Sequence, residues 1–291
     1  MKTTLLLVLL LLSQIGSAQV SSFEILNSEI EQGGTVIIRI NPQWQGQGTG
    51  IFVFGNNYVP NKYGYVFVGV GVDTKPGNHL VNLTEHNHIK VDQYPQQVEV
   101  KDKEFPEWFR GRAPVLNKIA QERLTKDQEI KVKAYNLADN FNSYVTGNYV
   151  YPLDTIDVTD EFGSTRVYGT YDRIKKEIKI DHKIPHGGVD LRAQTPTEVK
   201  AVNSGKVLLA KPLLADGNIL IIDHGSGVLS LYLHLSKFKV KEKDNVAKGQ
   251  TVALTGETGT AALGPHLHFM IKIHEIDVDP LKFIETVNQL K

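Results

Sequence analysis

The spacing of apolar and polar positions changes twice along the chain. Thr35-Val36-Ile37-Ile38-Arg39-Ile40, Ile51 to Phe54 and Tyr65 to Val70 are β-branched or aromatic runs, and Gln97 to Lys101 alternates cleanly. Gly33-Gly34, Gly46 to Gly50, Asn56-Asn57 and Pro76-Gly77-Asn78 punctuate them. Short strands between such turn residues predict a small β-sandwich over residues 19–110. From Pro114 the period becomes helical, with Val115, Leu116, Ile119 and Ala120 on one stripe. Thr125 followed by Gln128 reads as a capping box that opens a second helix to about Ala138, so residues 111–150 form a helical connector. Strands then return over 151–291: Ile178 to Ile180, Val199 to Val202, Lys206 to Leu209, Ile219 to Ile222, Val228 to Leu233, Thr251 to Leu254 and His268 to Ile273. Glycines between them predict an antiparallel domain with tight turns and almost no helix. The fold class is mainly β.

The first eighteen residues differ in kind. Lys2 precedes the apolar run Leu5 to Leu12, and Gly16-Ser17-Ala18 supplies the small residues of a signal-peptidase site. That run is shorter than the roughly 20 residues a bilayer core requires, so the reading is a cleaved signal peptide at 1–18, no membrane span after cleavage, and a periplasmic or extracellular location. Composition narrows the partners. Lys+Arg and Asp+Glu both total 32, which removes the basic surface that nucleic-acid binding needs. There is no cysteine, hence no disulfide, and metal ligands must come from His, Asp and Glu.

Seven of the histidines lie at or beyond position 182. In His186-Gly187-Gly188-Val189-Asp190 a His and an Asp stand four apart around two glycines. In His266-Leu267-His268 two histidines alternate at the strand period, so both point to one face. His234 follows a strand with the same alternation. A catalytic zinc takes three N or O ligands and leaves one position open; His186, Asp190 and one of the His266/His268 pair supply that number. The remaining histidines are then available to move protons or stabilise an oxyanion.

These blocks resemble the lysostaphin/LytM family of zinc endopeptidases, peptidase family M23, over about Phe162 to Phe283. The resemblance extends to Gly205-Lys206-Val207, Gly217-Asn218, Asp223-His224-Gly225 and Lys248-Gly249-Gln250. It implies zinc held by His186, Asp190 and His268, with His234 and His266 flanking the open site as catalytic residues, in a cleft built on an antiparallel sheet. The substrate it implies is bacterial peptidoglycan, cut at stem or crosslink peptides. The region around Glu31 to Gly34 and Val68 to Val70 resembles the immunoglobulin-like sandwich that precedes the peptidase in some exported members. The stretch from Arg166 to Pro185, longer than usual and rich in Lys and Ile, is expected to form an extra hairpin beside the cleft.

Other features carry less. His86-Asn87-His88 is accompanied by no His-x-x-x-Asp or other acid-histidine pattern and reads as a solvent-facing turn or strand; His224 reads as a turn residue, and His182 and His274 as surface positions. Arg166 either lines the cleft or is solvated. Two other functions compete with hydrolysis. A non-catalytic regulator of cell-wall enzymes fits family members that have lost ligands, whereas none is missing here. A biotin or lipoate carrier is rejected, because this chain has only Met1 and Met270 where a Met-Lys-Met site is needed. The domain order also suggests that the N-terminal domain lies over the cleft and limits access.

Overall fold

The structure, a computed structural model, describes residues 21–289 apart from 87, 91–94, 113–115, 146 and 173, so the signal peptide read at 1–18 lies outside the described residues. Alternation of apolar residues builds the N-terminal domain from a pair of sheets with one apolar face each. The first contains Phe23–Ile25, Thr35–Ile40 and Tyr65–Gly69, all antiparallel. The second orders Glu29–Glu31, Gln96–Lys101, Gly77–Glu85, Thr49–Val53 and Asn56–Tyr58, with Glu29–Glu31 parallel to its neighbour. Val36, Ile38, Val66 and Val68 of the first pack with Ile51, Val81, Leu83 and Val98 of the second in one buried cluster. Two segments read as turns, Asn56-Asn57 and Gly77-Asn78, are strand ends: Gly77 pairs with Val100 at the margin of its sheet, where turn-favouring residues cost little.

Among its described residues the connector contains one helix, α1 (Lys118–Tyr135), rather than two. Its cap is Asn117, whose Oδ1 accepts from the Ala120 N–H at 2.9 Å, and the hydroxyl of Thr125 bonds back to the Gln121 carbonyl at 3.1 Å. Thr125 therefore serves an interior turn, and the capping-box reading is corrected. Asp127, buried in mid-helix, accepts from the Leu214 N–H at 2.7 Å and from Arg123 at 2.9 Å, which fixes α1 to the C-terminal sheet.

That sheet orders Val158–Asp160, Val189–Arg192, His266–Ile273, Val228–Leu235, Gly217–Asp223, Gly205–Leu213 and Asn245–Val246, with Ile276–Val278 alongside His266–Ile273. Leu267, Phe269, Ile271 and Ile273 are fully buried, and the alternate positions from His266 to Lys272 are half-buried on the other face. Val228–Leu235 is buried at every position because both its faces are covered. Tyr232 and Phe269 face the main core, while Leu229, Leu231 and Leu233 join Ala134 of α1 in a second cluster. Each such large side chain contributes about 1.5–3 kcal/mol by burial.

A second helix, α2 (Pro280–Gln289), departs from the reading of almost no helix. The Asp279 carboxylate accepts from the Leu281 and Lys282 N–H groups, and Pro280 occupies the first helical position. A smaller sheet joins Glu107–Gly111, parallel, to the antiparallel hairpin Thr165–Asp172/Glu177–Pro185. This is the hairpin expected at Arg166 to Pro185, and it flanks the cleft.

The N-terminal sheets pack away from that cleft. Asp279 N donates to Gly33 O at 2.7 Å, Asn61 Nδ2 to Ser226 Oγ at 2.9 Å, and Lys62 N to Phe141 O at 2.9 Å. A Cβ on Gly69 would lie 2.9 Å from Ile276, so the two domains meet closely. The suggestion that the N-terminal domain lies over the cleft finds no support in its sheets: among the described residues, the cleft is lined from Pro106 onward.

Candidate metal centre

Strand register brings the sequence-predicted residues together. Asp190 and His268 are direct partners on adjacent strands, His268 is in turn opposite Leu233, and His234 follows. His186 precedes the Val189–Arg192 strand and is almost fully buried. Its backbone N–H donates to Ser164 O at 2.8 Å.

His186 Nε2 lies 3.0 Å from His268 Nδ1 and 3.2 Å from Asp190 Oδ1, and His268 Nδ1 lies 2.8 Å from the same oxygen. Among the described residues this is the one group of three His or acidic side chains whose ligand atoms all lie within 4.8 Å of one another. Ligands at ~2.0–2.2 Å from a tetrahedral centre stand about 3.3–3.6 Å apart, so the triangle needs only slight widening to hold one divalent ion. Two imidazoles and one carboxylate also match the ligand chemistry of such an ion.

The outer contacts set the tautomers. His186 Nδ1 is 3.0 Å from the Glu161 carbonyl, which accepts its proton and leaves Nε2 as the donor to a metal. His234 Nδ1 and His266 Nδ1 lie 2.9 and 2.8 Å from the carbonyls of Thr258 and Gly264, so each ring keeps Nε2 free. The two rings are 4.8 Å apart, and His266 Nε2 is 3.6 Å from Asp190 Oδ1, farther than the three-atom triangle. His234 has φ +62°, unusual for a non-glycine residue. Its N–H donates to Asp216 O at 3.0 Å, a bond that holds this bend.

Burial raises the Asp190 carboxyl, but hydrogen bonds from His186 and His268 and their charges together hold it well below the usual carboxylate range. Burial lowers His268, and pushes His234 down to about 4, so a neutral imidazole is favoured at both.

Gly187 and Gly188 are required by space. A Cβ on Gly188 would sit 2.4 Å from Phe269 O and 3.1 Å from His268 Nε2; one on Gly187 would sit 3.0 Å from Asp277 and Met270.

Sequence reasoning did not find the network behind Asp190. Arg166 Nη2 pairs with Asp160 Oδ2 at 3.1 Å and approaches Asp190 Oδ2 at 3.9 Å, and Ser164 Oγ donates to Asp160. Arg166 thus lines the cleft; nothing in its neighbourhood marks Asp160. Trp108, Arg110 and the α1 residues Gln128, Lys131 and Tyr135 also line the cleft without a motif to announce them. His86 and His182 are exposed as read, whereas His224 is fully buried and bonds Ser230 Oγ at 2.8 Å. His274 is half-buried, with its ring 5.3 Å from that of Tyr58, because the N-terminal sheets cover it.

Residues 184–280 match the model of Peptidase family M23. The chain carries a peptidase M23 domain. It is 34% identical over 134 residues to peptidoglycan DD-endopeptidase ShyB of Vibrio cholerae, covering 45% of this chain and 29% of that protein. To peptidoglycan DD-endopeptidase ShyA of the same organism it is 28% identical over 190 residues, 60% of this chain and 42% of that one. The chain therefore spans less than half the length of these relatives. A solved structure from Pseudomonas aeruginosa assigned to peptidase M23 superposes with a TM-score of 0.63 at 23% identity, covering 87% of this chain and 94% of that one, a likeness of fold. Among the described residues no helix is long and apolar enough to cross a membrane.

Proposed function

We propose that this chain is an exported zinc-dependent endopeptidase that hydrolyses peptide bonds in bacterial peptidoglycan. The observation that carries the reading is the 2.8–3.2 Å triangle of His186, Asp190 and His268 ligand atoms inside an M23 domain. Export rests on the leader pattern at 1–18, and peptidoglycan as substrate on the names of the relatives. The division into residues 19–110, 111–150 and 151–291 belongs to the same reading.

His186, Asp190 and His268 would hold the ion. When bound, zinc supplies a Lewis acid that polarises a carbonyl and acidifies water. Asp190 offsets some of its charge, and the Glu161 carbonyl keeps the His186 ring in the tautomer that ligates. His234 and His266 do the protein's own chemistry. With Nδ1–H held by a backbone carbonyl, each offers Nε2 to accept a proton from the attacking water. Once protonated, either donates to the oxyanion that forms on the scissile carbonyl, or to the departing amine. The complete ligand set disfavours a role as a regulator without activity.

The test is digestion of purified peptidoglycan by the mature protein with and without a zinc chelator, with products read by mass spectrometry. New muropeptides that vanish with chelator and return with added zinc are the expected result. The same profile in both arms overturns the reading.

A further inference from the structure

The flank of the cleft built by Glu107–Gly111 and the Thr165–Asp172/Glu177–Pro185 hairpin has no role in holding a metal, yet it is continuous with the centre. Trp108, Arg166 and Ile184 are cross-strand partners in one row, and all three line the cleft. Arg166, in the middle of that row, lies 3.9 Å from Asp190. The next residue facing the cleft, Arg110, occupies a register shift: Phe109 pairs with Val167 and Gly111 with Tyr168, which leaves Arg110 unpaired between them. Gly111, at φ +76°, makes the irregularity possible. Such a bulge re-aims a side chain, and here Arg110 is brought into the lining.

The charges of the lining single out Arg110. Lys131 pairs with Asp216, Arg166 with Asp160, Arg192 with Asp157 and Lys272 with Asp277. Among the described residues, Arg110 is the one cleft-lining cation with no carboxylate in ion-pair range. Beside it Trp108 is 53% exposed, a large apolar surface left facing the groove.

We propose that Trp108 and Arg110 form a subsite that takes a carboxylate-bearing residue of the peptide substrate, away from the scissile bond. The indole packs against the peptide, and the guanidinium binds the carboxylate through paired N–H donors. This rests on the peptidase reading above and deepens it, since it assigns the substrate class an acidic group. Two carboxylates of a stem peptide share this chemistry: the α-carboxylate of a γ-linked glutamate and the carboxyl terminus.

The chain has two tryptophans, so in the full-length W44F protein Trp108 is the sole indole reporter. Zinc-loaded W44F is mixed in a stopped flow with L-Ala-γ-D-Glu-L-Lys-D-Ala-D-Ala, with its isoglutamine form, and with its C-terminal amide, and Trp108 fluorescence is read before turnover. Amidation at one of the two positions is expected to weaken binding about three- to tenfold, as for a partly exposed charge-assisted pair. The position that matters identifies the carboxylate. R110Q in the same background should abolish the difference between the peptides, and R110K should restore some of it. Equal binding of all three peptides, a preference unchanged in R110Q, or no response of Trp108 overturns the subsite. A preference with no zinc-dependent release of muropeptides from purified peptidoglycan would leave the subsite standing and remove the peptidase reading; release without preference would do the reverse.

Discussion

His268 Nδ1 meets Asp190 Oδ1 at 2.8 Å because the two residues are register partners on adjacent antiparallel strands, both facing the cleft. A one-residue slip of either strand would turn one of them into the core, so the pair is fixed by the sheet and not by loop conformation. His186 completes the triangle from outside the sheet, anchored by the Glu161 carbonyl. Removing a ligand therefore removes affinity without disturbing the frame. H268A and D190N should each lower zinc affinity by at least about a hundredfold, by competition with a chromophoric chelator. H266A should stay within about tenfold of the parent. Stoichiometric zinc retained by H268A would refute the ligand assignment.

His234 and His266 stand apart from the triangle, each with one ring nitrogen tied to a carbonyl and the other free. If they serve proton transfer and oxyanion stabilisation, their loss falls on kcat. H234A and H266A should keep zinc and substrate affinity while kcat drops by about 10²–10⁴. A change confined to KM in both variants would assign them to substrate binding instead.

Gly188 offers a test of packing. The nearest obstacles to a Cβ are the Phe269 carbonyl at 2.4 Å and Met270 Cγ at 2.6 Å, and the carbonyl belongs to the strand that carries His268. Relief requires the strands to separate. G188A should lose about 1–3 kcal/mol of stability by denaturant unfolding, and bind zinc more weakly as His268 moves off Asp190. G46A, where the nearest atom to the Cβ is Thr49 Oγ1 at 3.6 Å, is the matched control and should be close to neutral.

The elements legible in the sequence are those where period and burial coincide. Gln96–Lys101 and His266–Ile273 alternate because one face of each is covered, and the same-face placement of His266 and His268 follows from that period alone. The hairpin over Arg166 to Pro185 was also legible as an insertion beside the cleft. Where tertiary contacts decide, the pattern is silent. Thr125 carries a cap signature but lies inside a helix already started at Asn117. α2 was hidden by its shortness, although Asp279-Pro280 is a helix-start signal. Asp160 and Arg110 acquire their places through a side-chain network and a register shift, neither of which leaves a mark in one dimension. The packing of the N-terminal sheets against Ile276 and Ser226 is likewise a surface match without a motif.

That packing carries a prediction of its own through His274. Its ring lies against Gly227, where a Cβ would come within 2.2 Å, and next to Tyr58 of the N-terminal sheets. Burial lowers its pKa from 6.5 to about 4, so the folded protein holds it neutral while the unfolded chain protonates first as the pH falls. Its contribution is complete above pH 6.5 and is lost as the pH drops toward 4. His224 and His234, also lowered to about 4 by burial, and His268, lowered by burial, act in the same direction. Asp223 opposes them: burial raises it from 3.8 to about 6, so its contribution is present below pH 3.8 and lost as the pH rises through 6. The net slope between pH 4 and 6.5 is the excess of these histidines over one carboxyl. H274N removes one of them, and because the ring retains some contact with water its share between pH 7 and pH 5 is about 1–2 kcal/mol. Urea unfolding at those two pH values should therefore show a smaller acid loss in H274N than in the parent by that amount. Parallel losses in the two proteins would mean that the His274 ring reaches solvent in the folded state and that the N-terminal sheets do not seal it.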